Sequence, residues 1–343
     1  MNKVLQADID EFVLDFPLKD NLKDKTFLIT GATGLVGSTI CRCLIGLDEE
    51  NNLGIKIVCP VRNIEKAQNL FGEQKCLNAR AEDLKSFLDY NTDKIDFIIH
   101  CASPTGSKFM VSNPVETYTY MIESTLLLLR YAKEHPIESM VYVSSLEFYG
   151  QVLKDEIITE DKVGFIDSTS PRSSYPLGKH AAEFACVAFA KEYGIPVKMA
   201  RLTQTFGAGI AKTENRVFAQ FARAAIKGDD IVLKSSGKSS KPYSYTTDTA
   251  SGILTMLLKG KNGEAYNVSN DDTYISINDM AKLVKDHFNP TINIIHDIDP
   301  NSGYAPDTLL HLTSAKLQDL GWKPKYGLIE MFNRLIQYLI CFD

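Results

Sequence analysis

The segment TFLITGATGLVGSTI, residues 26–40, decides the fold because it joins a short apolar run to three spaced glycines and a helical pattern. The run TFLIT predicts a buried strand, and the residues after the second glycine predict a helix. Glycines between a strand and a helix are typical of a dinucleotide site, since a pyrophosphate can approach free N–H groups at the positive end of the helix. The residues expected to hold the cofactor here are Gly31, Thr33, Gly34, Leu35, Val36 and Gly37.

Strand and helix patterns alternate after this segment, which disfavours the other interpretation, a purely structural turn. Buried strands are predicted at 26–30, 55–59, 96–102, 140–145 and 197–202, with helices at 35–47, 113–134 and 175–194 between them. We therefore expect an α/β fold whose first part is a doubly wound parallel sheet of the Rossmann type.

The pattern changes after residue 202, where helices predominate over short strands. Helices are predicted at 215–227, 248–259, 278–288 and 328–341, and strands at 231–233 and 264–269. We expect a smaller C-terminal α/β domain that binds substrate. The predicted division is an N-terminal helical extension at 1–22, with apolar Val4, Ile9, Val13 and Leu14, a Rossmann domain at 23–202 and a mainly C-terminal domain at 203–343.

Composition and charge exclude several classes of function. The 343-residue chain is 44% hydrophobic, with a net charge of −6 and a pI near 5.6. No long basic run indicates nucleic acid or an anionic membrane, and no apolar stretch approaches the roughly 18 residues of a membrane span. Seven cysteines and six histidines are scattered, so we expect buried free thiols and no metal site. The sequence predicts a cytoplasmic protein with a small, soluble ligand.

The choice between NAD and NADP depends on the end of the second strand. An acidic residue there favours the free ribose hydroxyl of NAD, whereas an arginine favours the 2′-phosphate of NADP. The sequence IVCPVRNIEKA has Arg62 at this place and no acid. It favours NADP, and the alternative is a solvated arginine at a helix start.

A tyrosine and a lysine lie four residues apart in SSYPLGKHAAE, residues 173–183. On a helix, Tyr175 and Lys179 project from one face. A phenol has a pKa of about 10, and both a nearby ammonium and an oxidised nicotinamide favour the phenolate. The pair is therefore a candidate acid/base rather than a packing pair. The strand at 140–145 ends with Ser144 and Ser145, and Glu147 follows it. We expect all three residues to face the cofactor.

The motifs TGATGLVG, HCASP, VSSLEFYG, YPLGK, RLTQTFG, YSYTTD, GEAYNVSN and LGWKP occur in the order seen in one family. The chain resembles the extended short-chain dehydrogenase/reductases, the NAD-dependent epimerase/dehydratase enzymes that modify nucleotide sugars, over roughly residues 23–340. The resemblance implies that Tyr175 takes a proton from a sugar hydroxyl as hydride leaves for the cofactor. It implies that Lys179 lowers the pKa of that phenol and holds the ribose, and that Ser145 hydrogen-bonds the reacting oxygen. In HCASP, Ala102 is expected at the cofactor and Ser103 at the substrate.

The residues after Ser145 sort reactions within this family. Its 4,6-dehydratases have aspartate then glutamate, and this chain has Leu146 and Glu147. Serine or threonine, a small residue, glutamate and then VYG is typical of UDP-glucuronate decarboxylases. The resemblance is therefore greatest to enzymes that oxidise C4 and lose the C5 carboxylate, with Glu147 as an acid/base near C5. The alternatives are a 4-epimerase, a C4 reductase or an atypical dehydratase, and, in another class, a non-catalytic NAD(P)-sensing protein.

Several positions depart from the decarboxylase pattern. Lys241 replaces an arginine, Gln204 and Met121 replace asparagines, and Leu146 replaces a smaller residue. We expect an altered sugar site. The resemblance implies substrate contacts from Ser103, Ser144, Gln204, Arg216 at the nucleotide diphosphate, and Lys241. It also implies a homodimer through a four-helix interface built from helices 113–134 and 175–194.

Overall fold

The computed structural model of the protein describes residues 2–104, 106–298 and 307–341. Its main element is a seven-stranded, all-parallel sheet in the order β11–β7–β5–β4–β1–β2–β3. The strands are β1 Thr26–Thr30, β2 Lys56–Val61, β3 Leu77–Ala81, β4 Phe97–His100, β5 Ser139–Ser145, β6 Ile157–Ile158, β7 Val197–Leu202, β8 Gln204–Phe206, β9 Ile231–Leu233, β10 Ser240–Tyr245, β11 Ala265–Val268, β12 Asn270–Ser276, β13 Ile294–His296 and β14 His311–Leu312.

Helices cover both faces of this sheet. They are α1 Lys3–Asp15, α2 Leu35–Asn51, α3 Ile64–Phe71, α4 Leu84–Tyr90, α5 Ser107–Ser112, α6 Pro114–Glu134, α7 Ser174–Tyr193, α8 Val217–Lys227, α9 Thr246–Lys259, α10 Ile277–Phe288, α11 Ala315–Gln318 and α12 Leu328–Ile340. Within the described ranges, none of them is both long and apolar enough to cross a bilayer.

Successive residues of β1 pack into different cores, which explains why its three central residues are all apolar. Phe27 and Ile29 join the cluster that contains α2 and α9, whereas Leu28 joins the cluster on the other face. A parallel strand covered on both faces has no solvent side, and the sequence accordingly shows a continuous apolar run. The predicted doubly wound sheet is confirmed.

Two strands of the main sheet differ from the sequence-based expectation. β3 was not predicted, because its sequence LNARA has no apolar run and its residues are only half-buried or exposed. β11, expected in the C-terminal domain, pairs with β7 in the main sheet. All seven cysteines lie in the described part of the chain and are unpaired, but Cys76 and Cys101 are half-buried and Cys341 is exposed rather than buried.

A second core lies under the smaller sheet β12–β10–β8. Helices α8, α10 and α12 contribute Phe218, Met280 and Phe332 to it, and β8 contributes Phe206. Phe206 stacks on Phe218 with ring centroids 4.6 Å apart. This core supports β8 and β10, the strands that contain Gln204 and Lys241.

The N-terminal helix α1 contacts both cores. Leu5 belongs to the core of the smaller sheet, whereas Ile9 and Val13 belong to the core beneath α2. Gly46 of α2 permits this contact, since a Cβ there would lie 2.8 Å from Ile9 and 2.9 Å from Val13. Leu14, expected among the packing residues, is exposed.

A buried carboxylate fixes α1 to the rest of the chain. Asp8 is fully buried and accepts hydrogen bonds from Tyr245 Oη and Arg334 Nη1, each at 2.6 Å. Burial raises the pKa of Asp8, against the hydrogen bonds of Tyr245 and Arg334, which lower it. The ionised carboxylate therefore depends on Arg334, which also binds Glu11 and Glu330.

Replacing Arg334 by methionine should lower the free energy of unfolding by about 3 kcal/mol, because Asp8 then stays buried with one hydrogen-bond donor. Urea titration followed by circular dichroism measures the change. As a control, Lys85→Met breaks the exposed pair with Asp89 and should leave stability nearly unchanged. An Arg334→Met variant as stable as the wild type would contradict this role of the buried pair.

Candidate active site

The carboxyl ends of β1, β4, β5 and β7 meet at one edge of the main sheet. Thr30 pairs with His100, and His100 pairs with Tyr142 in the next strand. The chain leaves the sheet just beyond this row, at Gly31 after β1 and at Ser145 after β5. Ligands of open α/β sheets bind at such an edge, so the structure brings the predicted glycine turn and the predicted serine to the expected place.

The glycine turn fits a dinucleotide. Gly31 has φ +69°, and a Cβ there would lie 2.7 Å from the backbone nitrogen of Ala102. A Cβ on Gly37 would lie 2.4 Å from Gly31 O, so α2 begins directly against the turn. Gly34 is the N-cap of α2, and no described side chain caps that end. The turn therefore leaves backbone N–H groups available to a phosphate, beside half-buried Thr33, Leu35 and Val36.

A buried hydrogen-bond chain orients the loop after β4. Ser124 Oγ donates to Tyr120 O at 2.7 Å, so its contact with His100 Nε2 at 3.2 Å has the histidine as donor. His100 Nδ1 then accepts from Thr30 Oγ1 at 2.6 Å, and Thr30 Oγ1 accepts from the N–H of Ala102 at 3.3 Å. Burial and the charge of Lys179 lower the pKa of His100 to about 3, which keeps this tautomer neutral.

Arg62 is exposed directly after β2. The next residue, Asn63, caps α3 through a hydrogen bond from Lys66 N at 2.8 Å. The arginine also lies near α6, since its charge lowers the pKa of Tyr120 against the effect of burial. The structure thus places Arg62 at the strand end where the sequence predicted a contact to the cofactor ribose.

Helix α7 carries Tyr175 and Lys179, both buried, on one face. It packs closely against α6, because a Cβ on Gly178 would lie 2.3 Å from Met121 Cε. Lys179 Nζ donates to Val143 O of β5 at 2.9 Å and lies 5.5 Å from the Tyr175 ring centroid. The tyrosine–lysine pair is therefore held between α6 and the end of β5.

The surroundings of Tyr175 keep its phenol protonated in the protein alone. Burial, followed by the negative charge of Glu147, raises its pKa to about 12. Hydrogen bonds to Ser145 and Ser103 and the charge of Arg216 oppose this rise. The same contacts show that Ser145 and Ser103 lie at the phenol hydroxyl.

Lys179 has an unusually low pKa of about 8, because burial penalises its ammonium form. The carboxylate of Glu183, one turn later in α7, acts in the opposite direction. Its Nζ also lies 4.8 Å from the centroid of the Tyr142 ring. This lysine was expected to lower the pKa of Tyr175, but its observed hydrogen bond goes to a backbone carbonyl instead.

The residues after β5 form a single 3₁₀ turn, Leu146–Tyr149. Glu147 is exposed, and its N–H donates to Ser145 Oγ at 3.2 Å. Leu146 is buried in a small apolar cluster with Ile158 and Leu310, among others. Ser144 is also buried, and its Oγ has no hydrogen-bond partner among the described residues.

Three predicted substrate residues come from the second half of the chain. Gln204 and Lys241 are half-buried on the neighbouring strands β8 and β10. Burial lowers the pKa of Lys241, the charge of Glu147 raises it and the charge of Arg216 lowers it. Arg216 binds Glu214 through Nε at 2.9 Å and Nη2 at 2.6 Å. Glu147 and Arg216 therefore lie near Tyr175, and Lys241 lies near both of these charged residues.

Sequence reasoning missed a buried cluster behind the 3₁₀ turn. Arg201 of β7 forms an ion pair with Glu183 at 2.8 Å, and both side chains are under a tenth exposed. The signal for Glu183 was present, because it lies four residues after Lys179 on the same helical face. Arg201 begins the motif RLTQTFG, but no local signal indicated its partners, which are distant in the chain.

Three comparisons relate the chain to known proteins. The sequence model of the NAD dependent epimerase/dehydratase family matches residues 27–269. UDP-glucuronic acid decarboxylase 1 of Danio rerio is 27% identical over 329 residues, which cover 92% of this chain and 72% of that protein. dTDP-D-glucose 4,6-dehydratase of Homo sapiens is 25% identical, with 92% of this chain and 89% of that protein covered.

The solved structure of UDP-glucuronic acid 4-epimerase from Bacillus cereus, in complex with UDP-glucuronic acid and NAD, has the same fold. It gives a TM-score of 0.76 at 19% identity, and the match covers 93% of this chain and 100% of that chain.

Replacing Lys179 by methionine should raise the free energy of unfolding at pH 7 by on the order of 2–3 kcal/mol, since its pKa falls from 10.5 to about 8 on folding. Between about pH 8 and 10.5 the unfolded chain keeps the Lys179 proton that the folded chain has lost, so the stability of the wild type should rise with pH in that window. The variant should lack this part of the rise. Denaturant titrations across pH 7–10.5 measure both curves.

The difference between the two curves isolates Lys179, because Lys198, with a pKa also lowered to about 8, remains in both proteins. Replacing exposed Lys191 by methionine serves as the control and should leave the curve unchanged. Parallel curves for wild type and Lys179→Met would contradict the assignment.

Proposed function

Because the chain belongs to the NAD dependent epimerase/dehydratase family, we propose that it oxidises C4 of a nucleotide sugar and acts at C5, with UDP-glucuronate decarboxylation as the reaction. The observation that carries this proposal is the turn after β5. Its acid, Glu147, is exposed beside Tyr175, whereas Leu146 is buried in an apolar cluster. The 27% identity to a UDP-glucuronic acid decarboxylase over 92% of the chain also supports it.

In this mechanism Tyr175 takes the proton of the C4 hydroxyl, and Ser145 hydrogen-bonds the same oxygen. The nicotinamide cofactor supplies the redox chemistry by accepting a hydride from C4 and later returning it. With C4 oxidised, the uronate is a β-keto acid. The bond between C5 and the carboxylate carbon then breaks, CO₂ leaves, and the electron pair forms an enolate stabilised by the C4 carbonyl.

Glu147 then delivers a proton to C5 in this proposal. Its exposure lets it regain that proton from solvent. As the ketone is reduced, Tyr175 returns its proton to O4. Lys241 and Arg216 place two positive charges near Glu147, and such charges suit the anionic groups of a uronate and a diphosphate.

The position of Leu146 separates this reaction from 4,6-dehydration. An ordinary dehydratase needs an acid there to protonate the leaving 6-hydroxyl, and leucine has no proton to donate. A simple 4-epimerase needs no carboxylate at the place of Glu147, and 4-epimerisation of a uronate or hexose nucleotide is the second candidate. A C4 reductase or an atypical dehydratase is a weaker alternative, and a non-catalytic NAD(P) sensor has no use for the Tyr175–Lys179 pair.

The purified protein should convert UDP-glucuronate to a product lighter by one CO₂, as measured by mass spectrometry. Tyr175→Phe should abolish turnover, and Glu147→Gln should lower kcat by about tenfold to a hundredfold, because each removes a proton-transfer group. Glu156→Gln, which changes an exposed acid paired with Lys162, is the matched control. Conversion of the uronate at constant mass would instead establish the epimerase.

For the cofactor we propose a preference for NADP, on the basis of exposed Arg62 at the end of β2. Calorimetric titration should then show tighter binding of NADP than of NAD. Arg62→Ala should weaken NADP by about tenfold and NAD much less, because only NADP has the 2′-phosphate. Lys75→Ala, exposed before β3 at the opposite edge of the sheet, is the control. Tighter binding of NAD by the wild type would contradict this preference.

We also propose a homodimer through α6 and α7. The two helices pack against each other and leave large apolar side chains in solvent, including Val115 at 70% and Phe184 at 72% exposed. Exposed apolar area of this kind favours a protein partner. Light scattering should give the mass of two chains, and of one chain for Phe184→Asp.

A further inference from the structure

The 3₁₀ turn that contains Glu147 is held from its buried side. The two residues after Glu147, Phe148 and Tyr149, are under a tenth exposed, and both contact Arg201 of β7. We propose that Arg201 is a positioning residue, which fixes the Glu147 carboxylate beside Tyr175 through Phe148 and Tyr149. This inference rests on the proposed role of Glu147 at C5.

Every nitrogen of the Arg201 guanidinium has a partner. Nε and Nη2 donate to Glu183 Oε2 at 3.1 and 2.8 Å. Nη1 donates to Tyr149 Oη at 3.1 Å and to Glu160 O at 2.7 Å. A planar fork with partners along three directions cannot rotate without breaking several bonds. It therefore fixes the position of the Tyr149 hydroxyl, which in turn donates to Asn267 at 2.6 Å.

Phe148 lies between two flat groups. Arg201 Cζ is 3.5 Å from the centroid of its ring, and the His180 ring stacks on it at 3.8 Å with an interplanar angle of 2°. Because both groups lie so close to the Phe148 ring, they occupy opposite faces of it. His180 Nε2 also hydrogen-bonds Phe148 O at 2.6 Å, so the backbone of the turn is held as well.

These contacts join the turn to the helix of the candidate base. Glu183 and His180 are both in α7, the helix that also contains Tyr175. Arg201 thus links the element that carries Glu147 to the element that carries the phenol. Glu147 itself has an exposed carboxylate, so its distance from the sugar depends on the orientation of the turn. Loss of Arg201 should let the turn tilt and the carboxylate move.

A cavity of about 490 Å³ borders this cluster. Its lining includes Arg201, Glu183, His180 and Phe148, together with Ala265 of β11 and the exposed Phe184 of α7, whereas Tyr175 is not among its described lining residues. In a single chain, where no partner covers Phe184, a small cation can therefore reach the place of the guanidinium without passing Tyr175. This makes chemical rescue of a truncated arginine a practical test.

The test compares Arg201→Ala, Glu147→Gln and the double variant with UDP-glucuronate. Arg201→Ala should lower kcat by about tenfold or more with little change in KM, whereas adding Arg201→Ala to the Glu147→Gln variant should lower kcat by less than about threefold more. Guanidinium chloride at millimolar concentration, added to protein dilute enough to be monomeric, should restore part of the activity of Arg201→Ala, and none in the double variant. A merely structural role would not depend on Glu147 in this way.

Arg42→Ala is the matched control, because Arg42 is another buried arginine beside a phenylalanine, with Cζ 5.6 Å from the Phe71 ring. It should lower the melting temperature without lowering kcat. Additive effects of Arg201→Ala and Glu147→Gln would overturn the inference, as would a crystal structure of Arg201→Ala with Glu147 in place. The crystal structure does not depend on turnover. It therefore tests the inference even if the wild type releases no CO₂ and the proposed function is wrong.

Discussion

The candidate site depends on the register of four parallel strands. Thr30, His100 and Tyr142 lie side by side in β1, β4 and β5, and Ser144 pairs with Arg201 in β7. All four strands end within a few residues of this row, so their following loops emerge at one edge. A shift of one residue in any strand would turn its side chains to the opposite face of the sheet. The continuous burial on both faces prevents such a shift.

The same burial gives the ionisable groups of the site their properties. Lys179 and Tyr175 lie where water is excluded, and desolvation is the largest cause of the pKa shift in each. Compensation comes from nearby groups: Glu183 of the same helix acts on the lysine, and Ser145 and Ser103, from the ends of two strands, act on the phenol. A buried ammonium group could not occupy this position in an unsupported helix, so the surrounding cluster belongs to the site as much as Tyr175 and Lys179 do.

The sequence predicted those parts of the fold and the site that have local signals. The sequence analysis could identify the glycine turn, Tyr175 and Lys179, because the spacing of these residues is recognisable within a single turn or helix. β3 could not, since an edge strand with half-exposed residues has no apolar run. Arg201 could not either, because its bonds to Glu183 and Tyr149 span 18 and 52 residues and exist only in the folded chain. The positions of Lys241 and Arg216 beside Glu147 depend likewise on how the two halves of the chain pack.

The raised pKa of Tyr175 has a consequence for the order of events. A phenol with a pKa of about 12 is neutral at physiological pH and cannot remove a proton from a sugar hydroxyl. The negative charge of Glu147 raises the pKa of Tyr175 further, whereas the positive charge of Arg216 lowers it. An oxidised nicotinamide has a positive ring, and a positive charge near a phenol favours its ionised form. The base is therefore expected to become competent only in the complex with oxidised cofactor, so that proton removal is coupled to the presence of a hydride acceptor.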